Sequence, residues 1–357
     1  MVKKIVFAVL LFLIVFVCIE KSDYIQKRDN YNQCLPPSFN VDASISFLKD
    51  RILESGEFYS QMCYKNDCKE DNNYFVTISV MLLLLDLETE LFDYSSSIEF
   101  VKNGMFENGL WRFWVERGRA WDIDDTSLAS YLISKKGLSL VENEKLILSN
   151  LNAKGLLKTW IPISDGDKFD TDEIDVCLVA NANAFLYIKS EPERSVFCKV
   201  VDEMIENRSY ENMILYYPDP LDFYFAISKT HKSKECLSQK SVEYILKRTL
   251  EISKKYSSSI ETNAGIWSKT VLTMLNLGFK NKDILCSLID QAFSFQTQEG
   301  GFVSGVHFKG AVISNTEDYT WKSDALTTAY VMAAFFELKK FIKSSENTLT
   351  GCVCDNY

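Results

Sequence analysis

The sequence predicts an all-α protein, an α6/α6 barrel or toroid in which outer and inner helices alternate. Three observations predict it. Only six prolines and fourteen glycines occur in 357 residues, so few positions break a helix. Apolar residues recur at three- and four-residue spacings in segment after segment, with no sustained strand-type alternation. The segments also come in pairs, one amphipathic and one apolar on most sides, repeating at roughly 50-residue intervals. A helix that is apolar on most sides is buried on most sides. The alternation therefore asks for an inner ring shielded by an outer one, and six pairs are enough to close it.

In chain order the amphipathic members are DASISFLKDRIL (42–53), SSIEFVKNGMF (96–106), VENEKLILSNL (141–151), SVFCKVVDEMI (195–205), VEYILKRTLEI (242–252) and DILCSLIDQAF (283–293). The apolar members are YFVTISVMLLLLDL (74–87), DDTSLASYLI (124–133), DVCLVANANAFLYI (175–188), LDFYFAIS (221–228), AGIWSKTVLTMLNLG (264–278) and SDALTTAYVMAAFFEL (323–338). Several pairs are joined by a glycine and a bulky residue: SGEFY at Gly56, NGLWRFW at Gly109, AGIW at Gly265 and EGGF at Gly300 and Gly301. A helix C-cap glycine with an anchoring hydrophobe behind it accounts for that pattern. Residues 41–343 are expected to form the barrel domain, residues 20–40 a linker and residues 344–357 a polar tail.

A hydrophobic content of 47% suits a chain with a sizeable core. The net charge of -10 and the lack of a basic block exclude nucleic acid as a partner. The start, MVKKIVFAVLLFLIVFVCIE, has two lysines ahead of an apolar run from Ile5 to Ile19. Residues 1–19 read as a signal peptide or membrane anchor, the run being short for a span and long for a signal core. A lipoprotein reading of Cys18 has Val17 where a small residue is usual. Lys3 and Lys4 favour a cytosolic N-terminus, which puts the rest outside the cytoplasm, anchored or secreted, with membrane association expected. Ten cysteines in an exported chain make disulfides available. Cys63 and Cys68 are the best candidates, while Cys177, Cys198, Cys236 and Cys286 read as small buried hydrophobes.

The stretch AWDIDDTSLASYLI (120–133) sets Asp122, Asp124 and Asp125 at a helix entrance. Asp122 is an acceptable N-cap, and Asp125 stands where a capping box has its second member. Three carboxylates in four positions repel, however, and capping needs at most two of them. If inner helices all start on one rim, that rim gathers Asp172, Glu173, Asp175, Asp219, Asp222, Glu261, Glu317, Asp318 and Asp324. Trp111, Phe113, Trp114 and Trp121, then Tyr216, Tyr217, Phe223 and Tyr224, then Trp267, Tyr319 and Trp321 accompany them, rings that suit core packing, sugar stacking or cation attraction alike.

LIDQAFSFQTQEGGF (288–302) resembles the QW-type repeat of the squalene cyclase and protein prenyltransferase superfamily, with Phe302 where that repeat ends in tryptophan. DIDDT (122–126) is similar to the D-x-D-D-T motif of class II terpene cyclases. The resemblance implies an α/α barrel that protonates an isoprenoid and starts ring closure. It casts Asp124 as the acid and Asp122 and Asp125 as its neighbours. Trp121, Trp114, Asp175, Tyr224, Trp267, Asp318, Trp321 and Asp324 would then surround the substrate. Cyclases with this motif place their site between two barrels, whereas this chain has length for one. The zinc-dependent branch uses an Asp-x-Cys pair, matched by Asp175 and Cys177, and a later histidine. His231 and His307 are the only histidines; neither falls at the expected place, and His307 reads as a surface residue, so no metal ligand is assigned. A calcium or magnesium ion would suit clustered carboxylates better than zinc, and no cofactor is expected.

Two other readings stay open. An exported barrel with paired carboxylates also suits a carbohydrate-active hydrolase or lyase, and a rim of caps and aromatics suits a non-catalytic binding barrel.

Overall fold

The computed structural model describes residues 39–65, 67–85, 93–116, 120–162, 175–256, 264–310 and 318–350, with side chains as far as residue 345. The leader, Cys18, residues 20–38, Asp172, Glu173, Glu261, Glu317 and residues 351–357 lie outside the described residues. The fold is mostly helical. Its helices alternate as pairs: α1 (Val41–Asp50) and α2 (Tyr74–Leu84), α3 (Ser95–Asn103) and α4 (Ile123–Lys135), α5 (Glu144–Leu148) and α6 (Leu178–Tyr187), α7 (Glu191–Asn207) and α8 (Pro220–Lys234), α9 (Gln239–Tyr256) and α10 (Ala264–Asn276), α11 (Lys282–Phe293) and α12 (Asp324–Thr350). α12 thus continues past residue 343, and Phe39, on the linker side, stacks on Phe293 at 4.3 Å.

The two helix types differ as their composition dictates. Every residue of α6, LVANANAFLY, is buried. α7 buries only Phe197, Val201 and Ile205, a four-residue stripe on an otherwise solvated surface. Phe197 stacks on Phe185 of α6 with ring centroids 4.1 Å apart, and truncating such a ring to alanine costs about 3–5 kcal/mol. The even-numbered helices touch in succession, α2 to α4, α6, α8, α10 and α12, and α12 touches α2. Outside them α3 leans on α2 and α4, α9 on α8 and α10, and α11 on α10 and α12, while α1 packs on α12.

The expectation of an all-helical chain needs correcting, because short strands lie among the helices. β1 (Gln61–Tyr64) and β2 (Asp67–Glu70) form a hairpin that joins β6 (Tyr319–Ser323) and β5 (Gly305–Lys309) in the order β2-β1-β6-β5. β3 (Ala120–Asp122) pairs with β4 (Trp160–Pro162). β3 leads straight into α4 and β6 straight into α12, so both sheets sit where inner helices begin. The Cys63–Cys68 disulfide joins residues that face each other across β1 and β2.

The joining glycines are not helix C-caps. Gly56, Gly109, Gly155 and Gly300 all have positive φ, between 76° and 89°, in tight turns beyond the outer helices. In each turn the N–H three residues before the glycine bonds the carbonyl just after it, as Leu53 does with Glu57 and Thr297 with Gly301. Two residues beyond each glycine, an N–H is taken by the next inner helix: Phe58 by Thr77, Trp111 by Thr126, Leu157 by Asn181 and Phe302 by Thr328. Gly155 therefore belongs to this set, and Gly265, which lies within α10, does not.

The cysteine expectations are also revised. Cys63 pairs as expected and Cys177 is a free, buried thiol, but Cys198 bonds Cys236 and Cys286 is disulfide-bonded as well. Helical periodicity marks a buried position without saying what lies across from it. Among the described residues no helix is long and apolar enough to cross a membrane.

Candidate active site

The site begins where β3 turns into α4. Asp122 has extended backbone (φ -95°, ψ 125°), as an N-cap requires, and its carboxyl accepts the N–H groups of Asp124 at 2.7 Å and Asp125 at 3.1 Å. Burial, reinforced by the Asp124 charge, outweighs those two donors and pushes Asp122 up to about 8. The capping box expected of Asp125 does not form, because the Asp122 N–H donates to the Trp111 carbonyl at 3.0 Å. Asp125 is fully buried with neither carboxyl oxygen hydrogen-bonded. Burial, then Asp122 and Asp124, hold it well above the ordinary carboxylate range, so it is carried as the neutral acid.

Asp124 is 5% exposed and is held from the neighbouring inner helix α6 and the loop before α8. Asn183 Nδ2, on α6, donates to its Oδ1 at 2.8 Å, and the Tyr217 hydroxyl contacts its Oδ2. Lys229 Nζ, on α8, donates to Asn183 Oδ1 at 3.1 Å, which fixes the amide with its NH2 toward the carboxyl. Burial raises the Asp124 pKa, opposed by Tyr217, Asn183 and the Lys229 charge. Burial also brings Lys229 down to about 8.

Asn183, Tyr217 and Lys229 line a cavity that opens on solvent. Its other walls are Phe75, Ser79, Leu82, Leu83, Leu128, Val179, Asp222, Phe225, Ala226 and Tyr330. Most are buried, whereas Leu82, Leu83, Lys229 and Tyr330 are half-buried. Asp222, Lys229 and Phe225 sit on one helix, and 1.5 Å of rise per residue sets the two charged groups roughly 10 Å apart along it. Asp222 pairs with the buried Lys269 of α10 at 2.5 Å, and Lys269 lies 5.1 Å over the Tyr330 ring. His307 stacks near Tyr330, with centroids 6.0 Å apart. It is 4% exposed, not on the surface as expected, and burial depresses it to about 3.

The expected substrate residues lie elsewhere than the cavity lining. Trp121 packs against Phe106 at 4.4 Å and under the Arg112 guanidinium at 4.8 Å. Trp114 and Trp321 belong to an aromatic cluster with Phe113 and Phe308, and the Trp321 indole donates to Asp71 at 2.8 Å. Tyr224 meets the Tyr210 hydroxyl at 2.5 Å, and Trp267 is buried in α10. Asp318 is exposed in the turn before β6. Asp324, at the start of α12, pairs with Arg51 of the α1 C-cap at 2.9 Å. Asp175 accepts from Tyr216 at 3.0 Å, and burial pushes it up to about 6. Its zinc-like partner Cys177 has a thiol pushed up to about 11 by burial, the wrong direction for a thiolate ligand. Among the described residues no three His, Cys, Asp or Glu side chains converge as a metal-binding group.

No family model and no curated relative matches the chain. Solved structures do. A variant of the type II terpene cyclase MstE from Scytonema, in complex with its substrate geranylgeranyl dihydroxybenzoate, superposes with a TM-score of 0.67 at 14% identity, covering 88% of this chain and 99% of its own. The chain shares its fold with a type II terpene cyclase. It shares it also with a protein from Actinoplanes (TM-score 0.65, 12% identity, 83% of this chain and 98% of that one). An alpha-amylase from Clostridium perfringens follows at a TM-score of 0.56 and 14% identity, with 85% of this chain and 99% of that one covered. One fold hosts more than one chemistry, so the site must choose between them.

Proposed function

We propose that the paired helices close into an α6/α6 barrel that cyclises or isomerises an isoprenoid lipid by protonating it, with Asp124 as the acid. Closure is supported by the contact of α12 with α2 and by the Arg51–Asp324 pair. The observation that carries the chemistry is the setting of Asp124: buried, raised in pKa, and bonded to two side chains of a cavity walled by leucines and aromatic rings. An alkene is a poor base, so its acid must be protonated, dry and fixed in place. Asp122 and Asp125, both raised, keep negative charge from building beside it. As the proton leaves, Asn183 and Lys229 stabilise the carboxylate that forms. Phe75 and Tyr217, which line the same cavity, would offer their rings to the cation, each face worth on the order of 0.5–2 kcal/mol, whereas the rings of Phe225 and Tyr330 already carry Lys229 at 4.8 Å and Lys269 at 5.1 Å.

The solved relative that binds geranylgeranyl dihydroxybenzoate supports an isoprenoid ligand class at the level of the fold. The disulfides support a location outside the cytoplasm, secreted or membrane-anchored. Purified protein incubated with squalene and with geranylgeranyl diphosphate tests the reading. Wild type should give a cyclised or isomerised lipid, and Asp124→Asn should lower turnover by about 10²–10⁴-fold. Unchanged lipid with both proteins removes it, and turnover of a glucan instead would install the carbohydrate-active alternative.

A further inference from the structure

Asp124 does not itself line the cavity. Its two carboxyl oxygens are each occupied, Oδ1 by Asn183 and Oδ2 by Tyr217, and these two partners are what the cavity sees. We propose that Tyr217 delivers the proton to the substrate, with Asp124 behind it as the proton's source. The inference rests on the protonation reading above and names the group that touches the alkene.

The chemistry of the two partners decides between them. Asn183 donates an amide hydrogen that no biological acidity releases, and its carbonyl is already held by Lys229. Tyr217 has one oxygen that can accept a proton while giving up another. With Asp124 protonated, its O–H donates to the Tyr217 oxygen and the phenolic O–H is free to point into the cavity. With Asp124 ionised, the phenol donates to the carboxylate. The same oxygen-to-oxygen contact serves both states, so the transfer needs no rearrangement of heavy atoms.

The step balances. The alkene π pair forms a C–H bond with the phenolic hydrogen, and the electrons of the breaking Tyr217 O–H bond remain on its oxygen. That oxygen takes the hydrogen of Asp124, whose O–H electrons stay as carboxylate. Positive charge appears on the neighbouring carbon, and negative charge rests on Asp124 against Asn183 and Lys229. The two transfers must be coupled. Burial and the nearby Asp124 charge hold the phenol well above its ordinary range, so a free tyrosinate here is costly, whereas a phenol refilled as it empties never carries the charge.

Tyr217→Phe keeps the ring and removes the relay. With geranylgeranyl diphosphate or squalene, whichever the wild type turns over, kcat is expected to fall about 100-fold or more, while KM changes less than about threefold. A positioning role alone would leave the remaining signatures unmoved. Rates in mixed H2O and D2O should follow a curved proton inventory with two hydrogens in flight, and fluorotyrosine at position 217 should change kcat with phenol acidity. A linear inventory, a rate indifferent to fluorination, or a Tyr217→Phe protein within about threefold of wild-type kcat overturns the relay. Active wild type, dead Asp124→Asn and active Tyr217→Phe refute the relay alone, while an inert wild type removes the parent reading and the relay with it.

Discussion

At the residue scale, the aspartate trio divides into three environments: Asp122 caps, Asp124 faces two cavity residues and Asp125 is sealed without a partner. Their folded pKa values are all raised, which fixes the sign of a stability prediction. A carboxyl raised on folding stabilises fully below its unfolded pKa, and that stability is lost as pH rises through the folded value. Asp122 rises from 3.8 to about 8 and Glu57 from 4.5 to about 7. His307 falls from 6.5 to about 3 and opposes the trend only below its ordinary value. Thermal unfolding should therefore show a falling Tm from about pH 6.5 to pH 8, and Asp122→Asn, an equally good cap, should flatten that fall. A Tm that climbs over this window would contradict the buried neutral acids. The entrance itself was legible in the sequence, because three charges exceeded what a cap can use. Asn183, Lys229 and Lys269 were not singled out, although the signal was present as polar side chains inside otherwise buried helices, in VANANAF, FAISK and WSKTV.

At the element scale, the helices were legible because buried and half-exposed helices carry different periodicities, visible in α6 and α7. The strands were not, since runs of three to five residues are too short to show alternation, and one of their pairings, β1 with β6, joins opposite ends of the chain. Trp114 and Trp321 pack on each other with ring centroids 6.3 Å apart, away from the cavity lining. Sequence assigns a ring to a rim but not to the side of it that faces a void. The glycine turns make the clearest stability prediction. A Cβ on Gly300, at φ 89°, would lie 2.5 Å from the Ala43 backbone, whereas one on Gly137, at φ 67°, would meet nothing within 4 Å. Gly300→Ala should cost about 2–4 kcal/mol, combining the left-handed backbone with a displaced α1, and Gly137→Ala about 1 kcal/mol. Urea midpoints check both, and equal costs would mean that the turn does not wedge against α1.

At the scale of the molecule, the first and last helix pairs are stitched together. Gln296, after α11, exchanges hydrogen bonds with Asn40 before α1, and Ser44 of α1 donates to the Gly300 carbonyl at 2.7 Å. Such contacts span more than 250 positions, beyond the reach of any periodicity argument, which could only count pairs and infer a ring. The Cys198–Cys236 disulfide closes a separation of 38 residues and should contribute about 4 kcal/mol by restricting the unfolded chain. Replacing Cys198 and Cys236 together by alanine should lower the unfolding midpoint accordingly, and an unshifted midpoint would show that the bond does not constrain the unfolded state.

The acid role proposed for Asp124 stands or falls on where the product's new hydrogen comes from. Turnover of an isoprenoid in D2O, followed by mass spectrometry of the lipid, measures it directly. One deuterium fixed at the carbon protonated first, and none formed by Asp124→Asn, is the predicted result. A cyclised product without deuterium, or the same labelled product from both proteins, would contradict proton-initiated chemistry at Asp124.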